Sequence, residues 1–352
     1  MDARERDEQP TGANGDPILD ESAFIKKAER RSVRRTLFVA GAVVLSTLVI
    51  LGAGRWAWDI AIEQRAQRIA EFYVPLARVM KPNNDVDQGL VIRDFPGATM
   101  QLIASRRIGN AVVPAGVINI HFYPWGGTAI EDTRHFGDIT DGRFLIQPDA
   151  TPDLVFLEPP VGGGDAAEVW GAAVEDEPFL STAANSRRTS LARLQAAPAS
   201  STVELAVSFD DAMTLKQLET RIGDELRLAW GALRTGRAYS VTDEDGQTAE
   251  AGSSWSFHPP GSGVIGVPFS AFAVSDSTLA EQESWGLETL RVAERMPWFE
   301  RRGLIRSREY VEKNGTEYFG AVVVGSPEAA LKLANSTDVS MVSLGAVVMP
   351  YQ

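Results

Sequence analysis

FGAVVVGSPEAALKLANSTDVSMVSLGAVV (Phe319–Val348) contains the clearest structural signal of the chain: two apolar runs separated by a short amphipathic stretch. The apolar runs predict buried strands. Between them, Ser326 is expected to cap a helix whose first residue is Pro327, because a serine hydroxyl accepts from an early helical N–H and proline has no N–H to leave unsatisfied. The segment therefore predicts a strand, a helix and a strand.

The segment VELAVSFDDAMTLKQLETRIGDELRLAWG (203–231) has the same order of elements, with Thr214 as the predicted N-cap and Gly223 as the predicted C-cap of its helix. An insert between the two units contains a helix predicted from the capping-box spacing of Thr278 and Glu281, and we expect Pro297 to stop that helix. The fold class is therefore α+β, with a split βαβ (ferredoxin-like) α/β sandwich over 202–352.

Two glycine-containing motifs were considered as cofactor sites. The Ser326 corner lacks the Gly-Lys-Ser/Thr end of a phosphate loop, so helix initiation explains it better. GSGVIG (261–266) matches G-x-G-x-x-G, but it precedes a predicted strand, whereas a dinucleotide fingerprint opens a helix. We therefore predict no cofactor at either motif.

No set of catalytic or metal-binding residues can be assembled from the sequence. His121, His135 and His258 are scattered and lack metal-ligand spacing. The chain has no cysteine, which excludes a thiol nucleophile and a cysteine-ligated zinc. Tyr123 and Trp125 would suit a sugar-stacking platform, although aromatic residues at the end of an apolar strand are more often core. We predict no enzyme activity, no catalytic residues and no metal.

The 352-residue chain has a formal net charge of −13, which argues against a nucleic-acid partner.

The chain is uncharged from Thr36 to Gly54, and a helix of that length spans a bilayer core of about 30 Å. A cleaved signal peptide is the alternative, with small residues at 52–54, but the apolar segment is longer than usual and we expect a retained anchor. The basic residues before the span predict a single-pass protein of the cell membrane, with its N-terminus in the cytoplasm and its C-terminal domain outside. These residues are Lys26, Lys27, Arg30, Arg31, Arg34 and Arg35.

The predicted organisation follows changes in composition along the chain. The tail is polar, the segment after the span has apolar residues at helical spacing until Pro75, which should end or kink the helix, and short alternating segments such as ATMQLIA and GVINIHFYPWG then predict strands. Residues 181–201 could form a connector or a helix. The predicted parts are a disordered cytoplasmic tail with a juxtamembrane basic helix (1–35), a transmembrane helix (36–58), an amphipathic stalk helix (59–80), an extracellular strand-rich region (81–180), a connector (181–201) and a C-terminal domain (202–352).

The polar pattern of residues 1 to about 22 is interrupted by Ile18 and Leu19 and is followed by Phe24 and Ile25 at the start of the predicted helix. Apolar residues clustered beside a helix in a free tail are a candidate docking site for a protein partner. The equally weighted alternative is that Phe24 and Ile25 lie on the bilayer surface.

The segments 203–231 and 317–348 resemble the C-terminal domain of the bacterial sigma factor regulator family. The segment FIKKAERRSVRRTLFVAGAVVLSTLVILG, with the later RRIGNAVVPAG and FYPWG, resembles its N-terminal region. The resemblance covers residues 22–125 and 200–350. It implies a transmembrane anti-sigma factor that restrains a cytoplasmic extracytoplasmic-function sigma factor and senses an envelope signal outside. An envelope binding or scaffold protein without a transcriptional role is the alternative.

The chain departs from many anti-sigma factors in one respect. Those proteins use a zinc domain with histidine and cysteine ligands inside the cell, which a chain without cysteine cannot build. A sigma factor would therefore be held by a short segment that folds on binding, or with the help of a second membrane protein.

Overall fold

The structure is a computed structural model that describes residues 21–133, 154, 156–159, 178–235, 256–258, 264–269, 277–292 and 298–350. The chain divides into two compact units, Met1–Ala61 and Ile62–Gln352. Helix α1 (Glu21–Met80) contributes to both units.

In the first unit, the described residues belong to α1, and its long apolar window is fully exposed. This helix is long and apolar enough to cross a membrane. Within the window, the Thr47 hydroxyl donates to the carbonyl of Val43 at 2.9 Å, which satisfies the hydroxyl without water. The predicted single apolar span is thus present as a helix.

The second unit begins with the end of α1 and continues into a four-stranded antiparallel meander. Its strands are β1 (Asn84–Asp94), β2 (Gly97–Ile108), β3 (Ala111–Tyr123) and β4 (Gly126–Thr133), in the order β1-β2-β3-β4. The buried residues of β2 include Met100, Leu102 and Ala104, which alternate with more exposed ones. This is the pattern of a sheet with one covered face, and β2 and β3 confirm the strands predicted at ATMQLIA and GVINIHFYPWG.

A second sheet has the order β11-β6-β10-β7-β9, and all of its neighbouring strands are antiparallel. The strands β6 and β7, joined by a helix, are parallel to each other and separated by β10; β10 and β11 are likewise separated by β6. This is the predicted split βαβ arrangement, with β9 added at one edge. The ranges are β6 (Thr202–Met213), β7 (Leu226–Leu233), β9 (Gly266–Pro268), β10 (Tyr318–Gly325) and β11 (Val339–Val348). A separate pair joins β5 (Phe156–Glu158) to β8 (Ser256–His258).

Among its described residues, this unit has five further helices: α2 (Pro178–Ala196), α3 (Leu215–Ile222), α4 (Leu279–Val292), α5 (Trp298–Asn314) and α6 (Pro327–Ala334). Their predicted caps are confirmed. The N–H of Ala329 donates to the Ser326 hydroxyl at 3.2 Å, and Thr214 forms a capping box with Gln217. A second capping box joins Thr278 to Glu281, whose carboxylate accepts from the Thr278 N–H at 2.8 Å.

The five-stranded sheet is covered on both faces, which explains why its strands are almost continuously apolar. One face packs against helices through Val203, Leu205 and Val207. The other face, which includes Ala206 and Trp230, packs against β5 and residues of the meander. Every residue of β11 is buried.

Gly266, the last glycine of the motif at 261–266, has a packing explanation. A Cβ at Gly266 would collide with the Trp230 ring and with the Gly231 carbonyl oxygen. Gly266 lies in β9, opposite Ala232 of β7. The last glycine of the motif is therefore required by close approach of a strand to a tryptophan, which agrees with rejecting a dinucleotide site.

Two expectations are revised. Of the two predicted effects of Pro75, ending or kinking the helix, the first does not occur: α1 continues to Met80 because its last turn is held by packing against the domain core. The segment 181–201 is mostly helical: α2 ends at Ala196, and the Ser190 hydroxyl accepts from the N–H of Leu344 in β11 at 3.0 Å. Pro297 lies outside the described residues.

Candidate functional site: a junction at the end of the stalk

The four predicted partner-binding residues are placed only in part. Ile18 and Leu19 lie outside the described residues. Phe24 and Ile25 both lie in α1, and the side chain of Ile25 is exposed. Their role in binding a partner stays a prediction.

Within the described residues, no three potential metal ligands come together. His121 lies on β3, where its Nδ1 is 2.9 Å from the Thr99 hydroxyl on the neighbouring strand. His135 is outside the described residues, and of His258 the structure describes only its place in β8. The described residues therefore do not form a metal centre.

Apolar and polar contacts from several segments of the second unit meet at the end of α1. Leu76 and Val79 are buried in the same apolar cluster as Leu194 of α2 and Val203 of β6. This cluster is the main core of the second unit, so the last turn of α1 is built into it. A movement of this turn would have to repack the core, because close-packed interiors do not deform continuously.

Charged groups hold the same turn on its outer side. The Arg78 guanidinium lies 3.2 Å from a carboxylate oxygen of Asp85 and 3.1 Å from one of Asp87, at the start of β1. Burial lowers the pKa of Arg78, against the opposing effect of the two carboxylates. Burial also raises the pKa of Asp85, and the attraction of Arg78 only partly offsets this. The ion pair between Arg78 and Asp85 therefore fixes the last turn of α1 against the start of β1, at a cost in desolvation free energy.

A second set of polar contacts surrounds Glu204 of β6, whose side chain is completely buried. One carboxylate oxygen accepts from the Asn83 amide at 2.6 Å, just after α1. The other accepts from Arg106 of β2 at 3.3 Å and from the N–H of Ala346 in β11 at 3.3 Å. Arg106 in turn donates to Asn84 at 3.0 Å. One carboxylate thus connects four segments that are distant in sequence.

The local backbone is shaped to make these contacts possible. Asn83 has a positive φ of 54°, a conformation that asparagine tolerates better than most residues. A Cβ at Gly345 would collide with the Glu204 carboxylate, so only glycine fits there. Leu205 faces the helical side of its sheet and Glu204 the opposite side, because side chains alternate along a strand. The chain at the end of α1 therefore contacts both faces of the sheet within a few residues.

We call the set Arg78, Asn83, Asn84, Arg106 and Glu204 the stalk junction. Its contacts are hydrogen bonds and ion pairs between buried or half-buried groups, and its one carboxylate, that of Glu204, already accepts from three donors. The arrangement suits a mechanical connection between a membrane helix and two sheets. Arg227 adds a link between the sheets, donating from β7 to the Arg107 carbonyl of β2 at 3.2 Å.

Sequence reasoning did not identify the stalk junction. A signal was present, since Glu204 is the single charge in the apolar run Val203–Val207 and a strand buried on both faces must pair such a charge. Its partners, however, are 98 and 121 residues away in sequence and could not be assigned from spacing.

The pKa of Asp85 leads to a prediction about pH. The folded state binds the proton more tightly than the unfolded state, so this group favours folding at acid pH, and the benefit is lost as the pH rises through the raised pKa. Asp85→Asn, which is neutral throughout, should therefore gain stability relative to wild type between about pH 4 and pH 7. Urea unfolding of the full chain in detergent, followed by tryptophan fluorescence at both pH values, measures the difference.

Asp87→Asn is the matched control for Asp85→Asn, because it removes an exposed carboxylate from the same guanidinium. Asp87→Asn removes only a partner of Arg78, whereas Asp85→Asn removes a partner and also a partly buried charge. Comparing the two variants separates these effects. If Asp85→Asn loses stability relative to wild type as the pH rises, the ion pair outweighs the desolvation and the interpretation is wrong.

The expectation that Tyr123 and Trp125 belong to the core is wrong. They lie at the turn between β3 and β4, their rings stack at 6.0 Å with an interplanar angle of 20°, and both are exposed. The strand end was predicted correctly, but β3 ends at Tyr123, and this places both rings at the tip of a hairpin and not beneath a covering layer.

Comparison with known families places the fold in a functional context. Residues 194–346 match the family model described as sigma factor regulator C-terminal. The match runs from the end of α2 to β11 and so includes the split βαβ sheet and the Glu204 side of the stalk junction. Comparison with curated proteins and with solved structures finds no match. Members of the matched family are regulators and not enzymes, and the regulated partner is a sigma factor. Residues 194–346 thus form a domain similar to the sigma factor regulator C-terminal domain.

Proposed function

We propose that this protein is a single-pass anti-sigma factor that holds an extracytoplasmic-function sigma factor with its cytoplasmic residues 1–35 and releases it in response to an envelope signal. The single observation that supports this most strongly is that the last turn of the apolar helix is packed into the core of a sigma factor regulator domain. A membrane anchor alone would need no such integration.

The direction of the chain through the membrane is part of the proposal. Six basic residues precede the apolar span within ten positions, from Lys26 to Arg35. The cytoplasmic side of a membrane protein is enriched in such residues. The family domain would then lie outside the cell and the tail inside, where a sigma factor is accessible.

The tail itself is proposed to bind through Ile18, Leu19, Phe24 and Ile25. A segment without cysteine cannot form the zinc domain used by many anti-sigma factors, so it must gain its interface by folding on the partner or by sharing it with another membrane protein. Apolar anchors spaced along a short helix are the usual form of such binding.

Deleting residues 2–22 should derepress the genes transcribed with the restrained sigma factor, because Ile18 and Leu19 are removed while the basic residues that orient the span remain. A reporter gene read by that sigma factor should rise to the level seen when the whole regulator is deleted. Replacing Ile18, Leu19, Phe24 and Ile25 together by serine should have the same effect. The matched control replaces the polar residues Thr11 and Asn14 by alanine and should leave the reporter repressed.

An envelope scaffold whose tail only orients the span would respond differently. Removing residues 2–22 would leave its activity intact, and the reporter would not change in any variant. That result, obtained with normal amounts of the truncated protein in the membrane, would contradict the proposed function.

A further inference from the structure

The meander contains an exposed aromatic cluster at one end. Phe95 lies in the turn between β1 and β2, and Tyr123 and Trp125 lie at the turn between β3 and β4. Ala98 pairs with Phe122, so both turns are at the same end of the sheet. The exposed fractions are 83% for Phe95, 46% for Tyr123 and 71% for Trp125. We call these three residues the aromatic tip.

The direction of the aromatic tip follows from two ion pairs between β1 and α1. Arg78 contacts Asp87, and Glu63 contacts Arg93 at 3.1 Å. The helix rises about 22 Å between Glu63 and Arg78, and the strand extends about 20 Å between Asp87 and Arg93. The two lengths agree, so β1 runs antiparallel along α1, back toward the end at which the chain enters this unit.

Phe95 is two residues beyond Arg93, about 7 Å farther along the strand. The aromatic tip therefore lies at the entry end of the unit, near Glu63. At the opposite end of the meander, a Cβ on Gly109 would lie 3.2 Å from the Thr202 side chain at the start of β6. The sheet thus has one end against the C-terminal domain and the other beside the start of the stalk.

The apolar run of α1 ends at Gly54, and only seven residues, 55–61, precede this unit. Even fully extended, seven residues reach at most about 25 Å, so they tether the entry end of this unit close to the bilayer. The polar interface of a bilayer extends about 5 to 8 Å beyond the hydrocarbon core on each side. Tyrosine and tryptophan are the residues enriched at that interface, where the ring body is apolar and the polar group stays hydrated.

We propose that the aromatic tip docks on the same bilayer that α1 spans, with Phe95, Tyr123 and Trp125 inserted at the level of the lipid headgroups. This contact gives the meander a second attachment to the membrane beside the stalk. The inference requires only that α1 crosses a bilayer. It does not depend on the sigma factor or on which side of the membrane the domain lies.

The absence of cysteine makes a site-directed spin label straightforward. A nitroxide on Asp94→Cys, an exposed position next to Phe95, reports the aromatic tip, and one on Asn110→Cys reports the opposite end of the meander. Both labelled full-length proteins are reconstituted in phosphatidylcholine–phosphatidylglycerol vesicles. Collision with oxygen, which concentrates in lipid, is compared with collision with a water-soluble nickel chelate.

The expected result is a several-fold higher ratio of oxygen to nickel collisions at position 94 than at position 110. In the protein labelled at position 94, replacing Phe95, Tyr123 and Trp125 together by serine should lower the ratio of oxygen to nickel collisions to the value at position 110. The unfolding midpoint should stay unchanged. A tip label as aqueous as position 110 in the wild-type background would overturn the proposal. So would a lipid ratio that survives loss of the three rings, or a label shielded from both reagents. Shielding that appears only after cell-wall polymer is added would instead assign the rings to a glycan.

Discussion

Glu204→Ala is expected to lower the free energy of unfolding by about 3–5 kcal/mol, the range found when one member of a buried ion pair is removed. The Glu204 side chain is completely buried, and the variant leaves Arg106, the Asn83 amide and the Ala346 N–H without their shared acceptor. Urea unfolding of the full chain in detergent, monitored by tryptophan fluorescence, measures the loss.

The matched control for Glu204→Ala is Glu63→Ala. Glu63 also pairs with an arginine, at 3.1 Å, but both side chains are about half exposed. Exposed ion pairs contribute about 0–1 kcal/mol, so the control should change stability little. A double-mutant cycle with Arg106→Ala should show that the two losses are not additive, since the residues contact each other. Equal effects of Glu204→Ala and Glu63→Ala would contradict a buried junction.

Trp230→Ala should cost about 3–5 kcal/mol, as expected for loss of a large buried aromatic side chain. Trp230 is fully buried in the apolar cluster between the five-stranded sheet and β5. Its ring centroid is 5.6 Å from that of Phe156, and its ring also packs against Gly266. The cavity would open between β7, β9 and β5. Thermal or urea unfolding, followed by far-UV circular dichroism to avoid loss of the fluorescent group, provides the measurement.

Trp230→Phe is the informative control for this position. Among the residues that the structure describes, none accepts a hydrogen bond from the buried indole N–H of Trp230, which is itself unfavourable. Phenylalanine removes that donor and keeps most of the ring, so its loss should be well under half of the loss caused by alanine. A phenylalanine variant as unstable as the alanine variant would mean that ring volume is not what Trp230 provides.

Local signals made the C-terminal fold predictable from sequence. Ser326 with Pro327 and Thr214 with Gly223 mark helix ends by backbone hydrogen bonding, which depends only on neighbouring residues. Two such helices between buried strands were sufficient to predict the split βαβ order. The family match over 194–346 is consistent with that prediction.

The features that escaped prediction depend on contacts between distant segments. Pro75 remains inside α1 because Leu76 and Val79 pack into a core formed mostly after residue 190. Glu204 was visible as an isolated charge, but its pairing with Arg106 depends on how the meander meets the second sheet. Whether Tyr123 and Trp125 are covered likewise depends on which side of the sheet faces the domain. Residue spacing contains none of this information.

The most direct test of the account is whether the full chain, reconstituted in lipid nanodiscs, retains a sigma factor through its tail. Wild-type protein incubated with a cytoplasmic extract should retain an extracytoplasmic-function sigma factor, identified by mass spectrometry. Protein lacking residues 2–22 should lose it, and Thr11→Ala with Asn14→Ala should keep it. Equal retention with and without residues 2–22, or no sigma factor retained even when neighbouring membrane proteins are co-reconstituted, would contradict the account.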